Sequence, residues 1–179
     1  MPDSTDTITL AGGCFWCLEA VFDRVQGVTA VESGYANGEV RNPSYEQVCT
    51  GNTGHAEVVR VSFDTSKISL RDILEIFFTI HDPTTLNRQG SDVGTQYRSG
   101  IYFHDAEQEK IARDVLAEVN AHHGGRVVTE LAPVHNYSRA EDYHQRYFEN
   151  NPNQGYCAFV VAPKVEKFRK NFASRLKTA

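Results

Sequence analysis

The segment Gly12-Gly13-Cys14-Phe15-Trp16-Cys17-Leu18-Glu19 places two thiols three residues apart, directly after a pair of glycines. Thiols so spaced can do nucleophilic and redox chemistry: a thiolate attacks an electrophilic centre, and a neighbouring thiol can then close a disulfide. Residues 7–10 alternate polar and apolar and read as a strand. Leu18, Val21, Phe22 and Val25 recur at helical spacing, and Gly27 suits the stop. Cys14 is therefore expected at a helix N-terminus, where unpaired amides and the helix dipole favour an anion. Such a place lowers a thiol pKa. A cysteine alone is more often inert packing, and Phe15 and Trp16 alone would be core. The glycines, the helix start and the second thiol point instead to a nucleophile.

A second chemical group is Glu57, in Gly54-His55-Ala56-Glu57. With period two, Glu57 shares a strand face with Val59, Val61 and Phe63, while Arg60 and Ser62 face the other way. A carboxyl on an apolar face is costly to ionise, so desolvation raises its pKa. An uncharged acid of this kind suits proton donation to an oxygen that gains negative charge. The plain alternative is a solvated or arginine-paired strand-end glutamate. A third feature is the polar stretch 83–96, which leads to Tyr97 and Arg98 and contains Asp92. A structureless loop this long inside a compact domain is often functional.

These groups need a scaffold. After the first helix, 28–35 reads as a strand and Asn37-Gly38 as a turn. Ser44 and Gln47 form a capping box that opens a short helix ending near Gly51, with Cys49 read as packing. Residues 55–63 form a strand, and Ser69 caps an apolar helix through Leu70, Ile73, Leu74, Phe77 and Ile80. Residues 97–103 read as a strand, Asp105 caps a helix, and Gly124-Gly125 stops it before a strand over 126–134. Ser138 and Glu141 resemble a second capping box before a helix carrying Tyr143, Tyr147 and Phe148. Residues 156–161 read as an apolar strand, followed by a helix marked by Val165, Phe168, Phe172 and Leu176. The mixture lacks a regular βαβ rhythm, which predicts an α+β fold: one central, partly antiparallel sheet covered by helices. One catalytic domain is expected over 1–179, with a core at about 7–162 and a last helix at about 163–177.

The chain has 179 residues and a formal charge of -5. That balance gives no footprint for nucleic acid or anionic lipid. The N-terminal residues lack a signal-peptide pattern, and no apolar run is long enough to span a bilayer. Four unevenly spaced cysteines do not make a secreted disulfide framework, so a cytoplasmic chain with reduced or catalytic thiols is expected. A zinc module would need a second cysteine pair or histidines at ligand spacing, and His55, His81, His104, His122, His123, His135 and His144 are scattered. A thioredoxin-like dithiol oxidoreductase would account for Cys14 and Cys17, but it leaves the Glu57 motif and the 83–96 stretch without purpose.

Several segments together resemble one family. They are Gly13-Cys14-Phe15-Trp16, Asn42-Pro43-Ser44-Tyr45, Val48-Cys49-Thr50-Gly51 with Thr53-Gly54-His55-Ala56-Glu57, His81-Asp82-Pro83, Arg88-Gln89-Gly90 with Asp92, and Gly94-Thr95-Gln96-Tyr97-Arg98-Ser99. In wording, order and spacing they are similar to the A-type peptide methionine sulfoxide reductases, from about residue 10 to 157. The resemblance implies a two-layer α/β core and reduction of methionine-(S)-sulfoxide, free or in proteins and peptides. It further implies recycling by thioredoxin, with no metal or organic cofactor, and a monomer is expected.

Residue by residue, Cys14 matches the family's nucleophile, and Phe15 and Trp16 the aromatic wall around the substrate methyl group. Glu57 matches the catalytic acid, Tyr45 and Tyr97 the hydroxyls directed at the sulfoxide oxygen, and Asp92 the acidic substrate-holding residue. Attack on a sulfoxide sulfur needs both a thiolate and a proton for the departing oxygen, which suits this set. Cys14 would become a sulfenic acid, which a second thiol converts to a disulfide. The family's C-terminal Gly-Tyr-Cys pattern, here Gly155-Tyr156-Cys157, points to Cys157 as the resolving cysteine. Cys17, where the family commonly has glycine, is the alternative, since one helical turn is a separation that a disulfide spans. The two could also act in relay.

Overall fold

A computed structural model describes residues 4–176. The last helix, expected over about 163–177, instead spans Ala162–Asn171; Phe172 caps it, Ala173–Arg175 form a 3-10 turn and Leu176 bridges Val25, while residue 177 lies outside the described residues. Six strands form one mixed sheet: β1 (Thr5–Gly12), β2 (Val28–Ala36), β3 (Ala56–Asp64), β6 (Ser99–Phe103), β7 (Glu130–Pro133) and β8 (Ser138–Arg139), in the order β7-β6-β1-β3-β2-β8. All neighbours are antiparallel except β6 and β7. β4 (Arg88–Gln89) and β5 (Asp92–Val93) make a separate hairpin.

One face of the sheet carries Ile8, Leu10, Val59, Val61, Phe63 and Ile101 into the main core. Against it lie α1 (Phe15–Phe22), α3 (Leu70–Ile80), α4 (Ala106–His122) and α6 (Ala162–Asn171), which contribute Leu18, Phe22, Leu74, Phe77, Val115 and Phe168. Each such buried side chain stabilises the fold by about 1.5–3 kcal/mol. The other face holds a small cluster, Ala11, Ala36, Val58 and Tyr102, backed by Val134 and Tyr137. This is the expected α+β architecture of one sheet covered by helices. The caps at Ser44, Ser69 and Asp105 are present, the first two as full capping boxes.

Besides the last helix, five segments differ from expectation. The first helix ends at Phe22 with Asp23 as its C-cap, short of Val25, which instead bridges Leu176. Residues 156–161 are not a strand: Cys157–Val161 form a π-helical turn that runs into α6. Cys157 and Val161 are buried while Phe159 is 83% exposed, a helical rather than alternating pattern. A short apolar run does not distinguish the two. Ser138 and Glu141 do not cap a helix. Ser138 and Arg139 pair with β2, and the Glu141 carboxylate accepts from the Tyr35 hydroxyl (2.8 Å) and the Tyr45 amide (2.9 Å). The helix expected there shrinks to α5 (Tyr147–Asn150). Of 126–134 only Glu130–Pro133 is a strand, because the Arg126 and Val127 amides close the end of α4 through His123 O and Asn120 Oδ1. The 83–96 stretch is not structureless: it contains the β4–β5 hairpin and leads to a 3-10 turn at Thr95–Tyr97, so the next strand starts at Ser99.

The hairpin is seated on the turn between β1 and α1. Gln89 is buried and exchanges two hydrogen bonds of 2.9 Å with the Asp82 backbone. Gly13, at φ 94, lies so close that a Cβ there would meet Gln89 Cγ at 2.7 Å. Only glycine accepts both the backbone angle and the contact.

Candidate active site

Cys14 is the N-cap of α1, as expected, and it sits where the centre of the sheet ends. Glu57, second residue of β3, faces it from the apolar side and is 1% exposed. The Phe15 amide, first of the helix, donates to Glu57 Oε1 at 3.2 Å. Glu57 Oε2 is buried with no hydrogen-bond partner of ordinary geometry among the described residues, although the Cys14 thiol interacts with the same carboxyl. Burial raises the Glu57 pKa to about 8; the Phe15 amide opposes that rise and Asp92 adds to it. At neutral pH this group is mainly an uncharged acid, as its place on the apolar face predicts.

The expected lowering of the Cys14 pKa is not found. Burial pushes it well above the ordinary thiol value, and Glu57, Cys17 and Asp92 push the same way, against the single opposing amide of Trp16. A helix N-terminus lowers a thiol pKa only while solvent or a cation helps to hold the charge. Here no cation is among the leading groups that shift it. The resting pair is therefore a thiol beside a carboxylic acid.

Two tyrosines border this pair. Tyr45 opens α2 (Tyr45–Cys49), its amide clamped by Glu141 and its ring packed against His144 at 4.4 Å. Tyr97 closes the 3-10 turn. Burial raises both pKa values, with Glu57 adding to each, so both hydroxyls stay protonated donors. Asp92, on β5, accepts from the Tyr156 hydroxyl at 2.5 Å. Phe15 is fully buried between Tyr35 (5.7 Å) and His144 (5.1 Å).

Trp16 is held from several sides. Its indole nitrogen donates to His144 Nδ1 at 3.1 Å. Tyr147 stacks on it at 3.8 Å and 6°, and Tyr156 meets it edge-on at 5.8 Å. His144, Tyr147 and Tyr156 are site residues that the sequence does not single out: it puts Tyr147 on an expected helix, Tyr156 at the start of an expected strand and His144 among scattered histidines. Their signal, an aromatic cluster over 143–156, reads locally as a core face.

All four cysteines are free. Cys17 is one turn from Cys14, its amide bonded to Cys14 O at 3.1 Å. Burial raises its thiol pKa to about 11, opposed by Lys164 and by contact with the Tyr156 hydroxyl. Cys157 is fully buried on the helical turn, and burial alone raises its pKa. Cys49 was expected as packing but is exposed, next to the Tyr45 hydroxyl, because it faces out from the last turn of α2. Among the described residues no three His, Cys, Asp or Glu side chains gather as a metal site requires.

Comparison with known proteins gives one consistent result. The family model described as "Peptide methionine sulfoxide reductase" matches residues 6–176. The peptide methionine sulfoxide reductase MsrA of Saccharolobus solfataricus is 56% identical over 172 residues, covering 96% of this chain and 97% of its own. The MsrA of Polynucleobacter asymbioticus is 59% identical over 168 residues, covering 93% and 88%. Among solved structures, reduced Mxr1 from Saccharomyces cerevisiae superposes with a TM-score of 0.81 at 40% identity, covering 88% and 91%. The same yeast protein in complex with Trx2 matches with a TM-score of 0.57 at 30% identity, covering 82% and 87%.

Proposed function

The chain belongs to the peptide methionine sulfoxide reductase family, and from that premise we propose that Cys14 reduces methionine-(S)-sulfoxide, free or within proteins and peptides, with Glu57 as the proton relay. The observation that carries this reading is the buried thiol facing an uncharged carboxyl beside an aromatic wall.

The step balances without outside protons. Glu57 gives its proton to the sulfoxide oxygen as the Cys14 sulfur attacks the sulfoxide sulfur, and the carboxylate so formed takes the thiol proton. The hydroxyl oxygen then passes to the Cys14 sulfur, breaking both the substrate's sulfur–oxygen bond and the new sulfur–sulfur bond, and Cys14 becomes a sulfenic acid. The sulfoxide gains two electrons and leaves as methionine; Cys14 loses two. Tyr45 and Tyr97 donate hydrogen bonds to the oxygen while it carries charge. Phe15 and Trp16 pack the methyl group, and Asp92, oriented by Tyr156, holds the substrate's polar end. Oxygen and methyl are then read at two separate points, which selects one epimer.

Resolution runs as a relay. Cys17, adjacent to Cys14, attacks the sulfenic acid and releases water, and Cys157 takes the disulfide onward by exchange. The proximity of Cys17 to Cys14 supports the first step. Thioredoxin reduces the final disulfide, by analogy with the yeast relative solved with Trx2. The enzyme works as a monomer in the cytoplasm, where a reducing pool keeps such thiols available.

A dithiothreitol-driven assay on the separated epimers of a blocked methionine sulfoxide tests the reading. Turnover of the S form alone, lost in Cys14→Ser, is expected. Equal turnover of the R form, or an active Cys14→Ser, overturns it.

A further inference from the structure

One turn after Trp16, α1 carries Glu19, a carboxyl with no part in the sulfoxide chemistry and only 3% exposed. Glu19 Oε1 accepts the Arg146 amide at 2.6 Å, and the Tyr147 amide also interacts with the carboxyl. Arg146 needs that support: at φ 55 and ψ 36 it is a non-glycine residue in the left-handed region, directly before α5. Its guanidinium pairs outward with Glu149 and with Asp23 at 3.7 Å, so the backbone amide is left to Glu19. The residue before it is fixed as well. The Gln145 side chain accepts from the Ser33 amide (2.9 Å) and donates to Ser33 O (2.9 Å) and Ala140 O (3.0 Å). The turn is thus tied to β2 on one side and to α1 on the other. Its product is the Tyr147 ring lying flat against Trp16.

We propose that Glu19 is a positioning residue for the reaction: by accepting the Arg146 amide it sets the turn that backs Trp16 with Tyr147, leaving one indole face to the substrate methyl group. The inference rests on the function proposed above for the fate of the methyl group, but not for the orientation of Trp16. Burial also raises the Glu19 pKa to about 7, with Asp23 adding and the Arg146 amide opposing, so charged and neutral forms coexist near neutrality. Either form accepts the amide, and a neutral glutamine is expected to replace it.

Trp16 is the sole tryptophan of the chain, so intrinsic emission and its quenching by acrylamide report on this ring alone. The test compares Glu19→Ala, Glu19→Gln and Tyr147→Ala by emission and by steady-state kinetics on blocked methionine-(S)-sulfoxide. Glu19→Ala is expected to shift and expose the emission and to raise KM about fivefold, with kcat within about threefold, because a misplaced wall weakens binding more than chemistry. Tyr147→Ala should reproduce the KM rise, and Glu19→Gln should restore both readouts. Unchanged emission and KM in folded Glu19→Ala overturn the proposal. If Glu19→Ala does not fold, an unchanged KM in Tyr147→Ala, or a Glu19→Gln whose emission matches that of Tyr147→Ala, overturns it instead. A wild-type chain inert toward the sulfoxide rejects the proposed function, and the emission arm still decides the role of Glu19.

Discussion

The Phe15 amide and the Glu57 carboxyl are bonded at 3.2 Å, so the first free amide of the helix that begins at Cys14 serves the acid and not the thiol. Burial on the apolar face of the strand keeps a proton on Glu57 against that amide, which opposes the rise, while the thiol keeps its own. On the proposed mechanism, reactivity arises when a sulfoxide oxygen enters and gives that proton somewhere to go.

On the proposed mechanism the acid form of Glu57 is the active one, which fixes the direction of the pH dependence. With a pKa of about 8, kcat/KM should hold through neutrality and fall as pH rises past that value. Glu57→Gln keeps the shape but cannot relay a proton, and should lower kcat by about 10²–10⁴-fold. A flat alkaline limb in the wild type would remove Glu57 from this role.

The same shift bears on stability. Glu57's folded pKa lies above the ordinary carboxyl value of 4.5, so its contribution is fully present below that value and lost as pH rises through about 8. The thermal stability of the wild type should fall across that window. Glu57→Gln should show a smaller decline, and identical slopes for the two proteins would count against a buried, neutral Glu57.

Without substrate, Cys14 should be a slow nucleophile. Its burial, together with three groups that raise its pKa, predicts sluggish alkylation by iodoacetamide at pH 7, with a rate that climbs steeply in alkali. Exposed Cys49 should react first, so mass mapping of the labelled peptides is required. Rapid labelling of Cys14 at neutral pH would restore the lowered pKa expected from the helix N-terminus.

That difference shows what the chain discloses locally. The β1–turn–α1 unit, the caps at Ser44 and Ser69, and Glu57 on the apolar face of β3 follow from short-range pattern, and all stand in the structure. The region from 138 to 161 does not, because its partners are distant. Glu141 is taken by Tyr35 and Tyr45, and Tyr156 by Asp92, 64 residues away. The Cys14 pKa belongs with these misses: burial sets it, and segments far along the chain supply part of that burial, as Tyr156 and Tyr147 do around Trp16. The aromatic wall and the acid were legible as residue types; their enclosure was not.

Gly13→Ala tests the seating of the hairpin. The new methyl group would meet Gln89 at 2.7 Å on a backbone at φ 94, so a loss of about 1–3 kcal/mol is expected in chemical denaturation. Gln89 and Asp92 are paired across the same hairpin, so KM should rise as Asp92 is displaced. Unaltered stability would mean that the turn has another way to relax.

The relay predicts different trapped species in two variants. Cys17→Ser should leave Cys14 as a sulfenic acid that persists after one methionine is released, detectable by dimedone. Cys157 lies fully buried in the helical turn, so on this reading it takes over only through local unfolding. Cys157→Ser should instead form the Cys14–Cys17 disulfide at the normal rate and stall there, open to dithiothreitol but poorly reduced by thioredoxin. Peptide mapping after a single turnover distinguishes the two. A Cys14–Cys157 disulfide formed in Cys17→Ser as fast as wild type closes its own would eliminate the relay and leave Cys157 as the direct resolving thiol, with the turn that carries it opening on the catalytic timescale.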